Sequence, residues 1–119
     1  MSEEKKYTGS CHCGAVKYEV TTKLEQLIAC NCSICRRAGH VLSFVPRASF
    51  KQLAGEDAQT DYQFGKKSIH HQFCKTCGVR SFAHGKGPDG SEMVAINVRC
   101  LDGVDVTKLE PMQYDGASK

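Results

Sequence analysis

The chain reads as a mainly β fold: small packed antiparallel sheets of short strands with zinc knuckles at their ends. Three observations predict it. Apolar residues alternate with polar ones at Val16, Tyr18 and Val20, and again at Val94, Ile96 and Val98, which is the period of a half-buried strand. No stretch carries a sustained helical period. The eight cysteines fall mostly in short clusters, two of them closed by a glycine, as in metal-binding turns.

With 119 residues the chain fits one domain, 1-119, with ends at 1-6 and 116-119 expected to fray. The start, Met1-Ser2-Glu3-Glu4-Lys5-Lys6, is charged and has no apolar core of a secretory signal. No apolar run approaches the ~20 residues that span a bilayer, so no membrane association is expected and the location is read as cytoplasmic. In a reducing compartment so many cysteines are metal ligands rather than disulfides. A disulfide scaffold is further disfavoured because bridging residues two apart strains the dihedral geometry.

The formal charge of +3 counts every thiol as protonated. Seven thiolates around two divalent zinc ions would bring it near zero. Lys5-Lys6, Arg36-Arg37 and Lys66-Lys67 are isolated pairs, so no nucleic-acid partner is expected.

In chain order, Gly9-Ser10-Cys11-His12-Cys13-Gly14 reads as a tight turn after a polar tail, and Ala15 to Thr21 as a strand. Leu27-Ile28-Ala29 is a short strand entering Cys30-Asn31-Cys32-Ser33-Ile34-Cys35. Ser33 to Ala38 makes one or two helical turns, stopped at Gly39. Leu42 to Val45 is a strand ended by Pro46. Phe50 and Leu53 read as core contacts. Asp61 to Phe64 and Ser68 to Phe73 form a hairpin turning at Gly65, with Tyr62, Phe64, Ile69 and Phe73 as apolar contacts. Arg80 to His84 is a strand, Gly85 to Gly90 an exposed turn, and Met93 to Val98 a strand. Val104 to Leu109 is a short helix or irregular.

Cys74-Lys75-Thr76-Cys77-Gly78 is a zinc knuckle whose two-residue spacing lets both sulfurs hold one ion. One knuckle supplies two ligands and needs a second pair. Cys11 and Cys13, also closed by a glycine, complement it, so Cys11, Cys13, Cys74 and Cys77 are read as a structural zinc site. Cys30, Cys32 and Cys35 make a second site, leaving Cys100. Either Cys100 closes that site, and the protein is a non-catalytic zinc-stapled binding or interaction module with two structural zincs, or Cys100 is a free thiol and the fourth position is exchangeable. A thioredoxin-like role for Cys32 and Cys35 lacks a surrounding βαβ pattern, and iron–sulfur ligation uses the same ligands. Among histidines, His12 should point away from its flanking ligands, and only one of His70 and His71 can face inward. His40 follows the cysteine trio closely enough to reach its zinc or a substrate, with a pKa suited to proton transfer.

These stretches, with Asn97-Val98-Arg99-Cys100-Leu101-Asp102, resemble the glutathione-dependent formaldehyde-activating enzyme (GFA) family, and within it the centromere protein V-like branch. They run in the family's order over nearly the whole chain. The resemblance implies a β-tent fold, a structural zinc on Cys11, Cys13, Cys74 and Cys77, and a catalytic zinc on Cys30, Cys32 and Cys35: two Zn²⁺ per chain. It implies a carbon–sulfur lyase, similar to S-(hydroxymethyl)glutathione synthase, acting on adducts of a small thiol such as glutathione with a small aldehyde, formaldehyde. Soft thiolate ligands suit a substrate thiol, which can lose its proton near neutral pH and attack the aldehyde carbon while a nearby acid protonates the alkoxide. His40 is the expected acid or base. Arg36 and Arg37 are the expected holders of a substrate carboxylate.

Overall fold

In a computed structural model the described residues are 5–24, 27–63, 69–86 and 90–115. Ten short strands form two sheets. The smaller has three strands in the order β1 (Lys5–Ser10), β2 (Lys17–Thr22) and β5 (Phe50–Ala54). The larger contains β3 (Ile28–Cys30), β4 (Leu42–Pro46), β6 (Gln59–Tyr62), β7 (His70–Cys74), β8 (Phe82–Lys86), β9 (Glu92–Asn97) and β10 (Met112–Tyr114), in the order β10-β3-β4-β9-β8-β7-β6. One α-helical turn, α1 (Cys35–Ala38), ends at Gly39 as the sequence predicts. Among the described residues no helix is long and apolar enough to cross a membrane.

The alternation read from the sequence sets the core. Val16, Tyr18 and Val20 are buried on the small sheet, and Val94, Ile96 and Val98 are buried opposite them. Between the sheets Tyr18, Phe50 and Phe82 form a ring cluster, with Phe50 and Phe82 centroids 4.7 Å apart and edge-on, and Tyr18 and Phe82 5.3 Å apart. Such pairs contribute about 0.5–1.5 kcal/mol beyond their buried area. Gly9 pairs with Tyr18 across β1 and β2. A Cβ there would meet the Tyr18 ring at 2.6 Å, so this position admits no side chain without moving the core ring.

Several expectations are corrected. β1 begins at Lys5, inside the stretch read as a polar tail, and Gly9 and Ser10 belong to it rather than to the turn. Leu53 is 50% exposed: it lies three residues after buried Phe50 on β5, and odd spacing places it on the opposite face. Tyr62 and Ile69 are also exposed rather than core, although β6 and β7 do pair as a hairpin. Phe64 and the turn at Gly65 lie outside the described residues, as do Pro88 and Asp89. β8 runs from Phe82 through Gly85 and Lys86, which pair with Met93 and Glu92 instead of turning. β10 is unforeseen, and it pairs parallel with β3, so the larger sheet is not wholly antiparallel.

The larger sheet has two faces of different character. Directly paired residues share a face. Ile28 pairs with Leu42, Leu42 with Asn97, and Phe44 with Ala95. Ala95 pairs with Ala83, and Ala83 with His71. This row turns away from the core, while Val94, Ile96 and Phe82 face the small sheet.

Candidate metal centres and the adjoining cavity

The chain turns at Cys11 and at Cys74, each turn closed by a glycine amide, three residues on at the first and four at the second. Gly14 N–H donates to the Cys11 carbonyl at 3.3 Å, and Gly78 N–H to the Cys74 carbonyl at 2.9 Å. Gly14 has φ +84° and Gly78 φ +77°, left-handed values that favour glycine. Backbone N–H groups point at the sulfurs: Val16 donates to Cys11 Sγ at 3.4 Å and Thr76 to Cys74 Sγ at 3.3 Å. The two turns come together. Cys13 Sγ lies 3.6 Å from Cys11 Sγ and 3.6 Å from Cys74 Sγ, and the four sulfurs of Cys11, Cys13, Cys74 and Cys77 all lie within 4.8 Å of one another. Four sulfurs placed tetrahedrally ~2.3 Å from one ion would be about 3.8 Å apart. The quartet therefore fits one metal ion. The Cys77 thiol is drawn down to about 6, first by the Val79 amide and then by that of Cys13, with the thiols of Cys11 and Cys74 adding to it.

Cys30, at the end of β3, meets Cys32 and Cys35 at the entrance to α1, and their three sulfurs also lie within 4.8 Å of one another. Cys32 N–H donates to Cys30 Sγ at 3.4 Å. Burial pushes the Cys32 thiol up, but the Cys35 amide, the Cys35 and Cys30 thiols and the Ile34 amide outweigh it and bring it below its ordinary value. Burial, with Cys32 and Cys30 nearby, pushes Cys35 up. A metal ion among three such sulfurs would satisfy both tendencies by taking all three as thiolates.

His40 is 6% exposed and its Nε2 lies 3.2 Å from Cys35 Sγ. The ligand atoms grouped within 4.8 Å are the three sulfurs and do not include His40. The imidazole thus stands beside Cys35 rather than over the trio. Burial, with Arg80 and His71 adding to it, lowers its pKa to about 4, below the near-neutral value that the sequence predicts for proton transfer.

The trio opens onto a cavity of about 550 Å³ on the outward face of the larger sheet. His40, His71, Arg80, His84, Lys86, Asn97 and Tyr114 are its polar wall among the described residues; Ile28, Ile34, Leu42, Phe44, Ile69, Met93 and Ala95 are most of its apolar wall. None of the quartet cysteines lines it. Tyr114 reaches it because β10 pairs with β3, Tyr114 opposite Cys30; Asn31 N–H bonds the Tyr114 carbonyl at 3.1 Å.

Arg80 was read only as the start of a strand, and nothing in its local pattern marks it. The fold carries it to the trio. Its carbonyl accepts from Asn97 Nδ2 at 2.9 Å, and its Nη2 lies 2.7 Å from His71 Nδ1. Burial lowers its pKa, while the charges of Cys35 and Cys32 hold it up. Its Nε and Nη1 are buried without hydrogen-bond partners among the described residues. A buried guanidinium beside these sulfurs suits a site that becomes anionic when three thiolates surround a divalent ion.

The remaining expected residues divide. Of His70 and His71 only His71 is buried; His70 is exposed and its Nδ1 lies 2.7 Å from Asp61 Oδ2. His12 is exposed. Arg36 and Arg37 are exposed on α1 and line no part of the cavity beside the trio; Arg37 donates to the Ser33 carbonyl at 2.7 Å and borders a second hollow with Tyr62 and Phe73. Cys100 joins neither cysteine group. Its thiol donates to the Arg80 carbonyl at 3.8 Å and accepts from Asn97 Nδ2 at 3.7 Å.

Over residues 6–114 the sequence matches the family described as glutathione-dependent formaldehyde-activating enzyme. The structure is similar to the crystal structure of a Rhodobacter sphaeroides protein, a Northeast Structural Genomics target. The TM-score is 0.81 and the identity 32%, over 90% of this chain and 98% of that one.

Proposed function

The chain belongs to the glutathione-dependent formaldehyde-activating enzyme family, and from that premise we propose a zinc-dependent carbon–sulfur lyase-type enzyme acting on adducts of a small thiol with a small aldehyde. One observation carries the reading: of two cysteine groups able to hold a metal, the one with three sulfurs opens onto a cavity that also holds buried polar side chains.

Cys11, Cys13, Cys74 and Cys77 are proposed as the ligands of a structural zinc, and Cys30, Cys32 and Cys35 as those of a catalytic one. Zinc at the second site would offer an exchangeable fourth position to a substrate sulfur and favour loss of its proton near neutral pH. In the synthetic direction a sulfur–carbon bond forms at the aldehyde carbon, the carbonyl π pair moves onto oxygen, and the proton lost by the thiol ends on that oxygen. The product is R–S–CH₂OH; the lyase reaction is the reverse, and no redox change occurs. Arg80, on the cavity wall, is the proposed stabiliser of the developing oxyanion. His71 holds that guanidinium through the 2.7 Å contact. His40, on the cavity wall against Cys35, is the proposed proton carrier.

The test is hydroxymethyl exchange between formaldehyde and a thiol, followed by NMR on zinc-loaded protein and on Cys32→Ser. The substitution should slow exchange at least about 10²-fold, the scale of losing electrostatic stabilisation of an oxyanion. Cobalt-loaded protein should change its spectrum with thiols and not with their S-methyl counterparts. Exchange no faster than in Cys32→Ser would mean a thiol-binding relative without the family chemistry.

A further inference from the structure

We infer that the cavity takes a thiol with an apolar body, an alkyl or aryl thiol, in preference to glutathione; the inference rests on the proposed function and names the substrate class of the same site. Outward from the cysteine trio the wall is Ile28, Leu42, Phe44, Ile69, Met93 and Ala95. These residues come from β3, β4, the approach to β7, and β9, so the apolar strip is built by strand register rather than by one local run. Phe44 is 48% and Ile69 45% exposed. Phe44 is not overflow from the core, because its strand neighbour Val45 is the residue that fills it. Large apolar side chains gathered around one concavity mark a ligand surface.

Glutathione brings two carboxylates, an ammonium group and two peptide groups, each needing a partner when withdrawn from water. Among the described residues no aspartate or glutamate lines the cavity to receive the ammonium. Arg80 stands at the trio end and is already engaged with His71, and Lys86 sits at the exposed rim. A hydrocarbon chain makes no such demands. Each methylene withdrawn from water contributes ~0.8 kcal/mol, or about fourfold in affinity.

The experiment uses cobalt-loaded protein titrated with ethanethiol, butanethiol, hexanethiol and glutathione, reading the sulfur-to-cobalt absorption. Affinity should rise by about 10²-fold from ethanethiol to hexanethiol, with glutathione weaker than butanethiol. Phe44→Asp, at a half-exposed position, should flatten the series with metal content and circular dichroism unchanged. Affinities independent of chain length, or glutathione binding more tightly than hexanethiol, would overturn the inference while leaving the proposed function standing. If no thiol alters the spectrum, the exchangeable position itself fails. The cavity is then read separately by displacement of 1-anilinonaphthalene-8-sulfonate with ethanol, butanol and hexanol: displacement that strengthens with chain length upholds the apolar ligand class, and displacement independent of length overturns it.

Discussion

The two cysteine groups use the same side chain for opposite ends. The quartet draws its sulfurs from turns that are 61 residues apart at Cys13 and Cys74, one leading into the small sheet and the other leaving β7. A metal there would close a long loop and clamp the two sheets, and its binding would then be part of folding. The trio draws its sulfurs from six consecutive positions, Cys30 to Cys35. Their spacing is local, set by the end of β3 and the first turn of α1. Ligand number differs too, four against three, and the trio lines the cavity of about 550 Å³ while the quartet does not. Ligands gathered from afar hold a structure together; ligands gathered locally, on an open rim, leave room for chemistry.

The largest expected effect is at the quartet. Structural zinc sites bind with about 10–16 kcal/mol, comparable with the ~5–15 kcal/mol that holds a whole domain folded. Cys74→Ser should therefore leave no cooperative thermal transition. A Cys74→Ser protein that keeps its circular dichroism and melts cooperatively would dissolve the contrast between the two groups.

Next comes the order of metal loss. Under graded chelation one zinc should leave early, with the circular dichroism spectrum intact, and the second should leave together with the fold. Cys32→Ser should contain one zinc and retain a cooperative transition. Simultaneous release of both ions in the parent protein would show that the trio is as deeply coupled to folding as the quartet.

The smallest effect is expected at Cys100, which joins neither group. Cys100→Ser should keep both zincs and an unchanged number of zinc–sulfur contacts by X-ray absorption. The cost in stability should be about 1 kcal/mol, typical of a point substitution. Loss of a contact at the trio would make that site closed and structural, and the catalytic proposal would fall.

Read from the chain alone, the quartet was legible although its ligands are remote. A two-ligand knuckle at Cys74 and Cys77 demands a second pair, and only Cys11-x-Cys13-Gly14 offers one of the same form. The core strands were legible because alternation is local: Val16, Tyr18 and Val20 are buried as their period predicts. Leu53, Tyr62 and Ile69 were misplaced for the converse reason. A short strand's composition does not say which of its faces meets the other sheet, and Ile69 turns out to wall the cavity. β10 escaped because Met112, Gln113 and Tyr114 make a strand of only three residues, too short to show a period, and bury no face.

By itself, then, the sequence determined the cysteine groupings, the two best core strands and the family, since each rests on spacing within a few residues or on a ligand count that must close. Only the tertiary structure decided what surrounds the trio. Arg80 reaches it through the Asn97 contact, His71 through pairing with Ala83, and Tyr114 through the parallel pairing of β10 with β3. The physical reason is register: a strand's neighbours are chosen by long-range hydrogen bonding, and a shift of one residue would turn every one of these side chains to the other face.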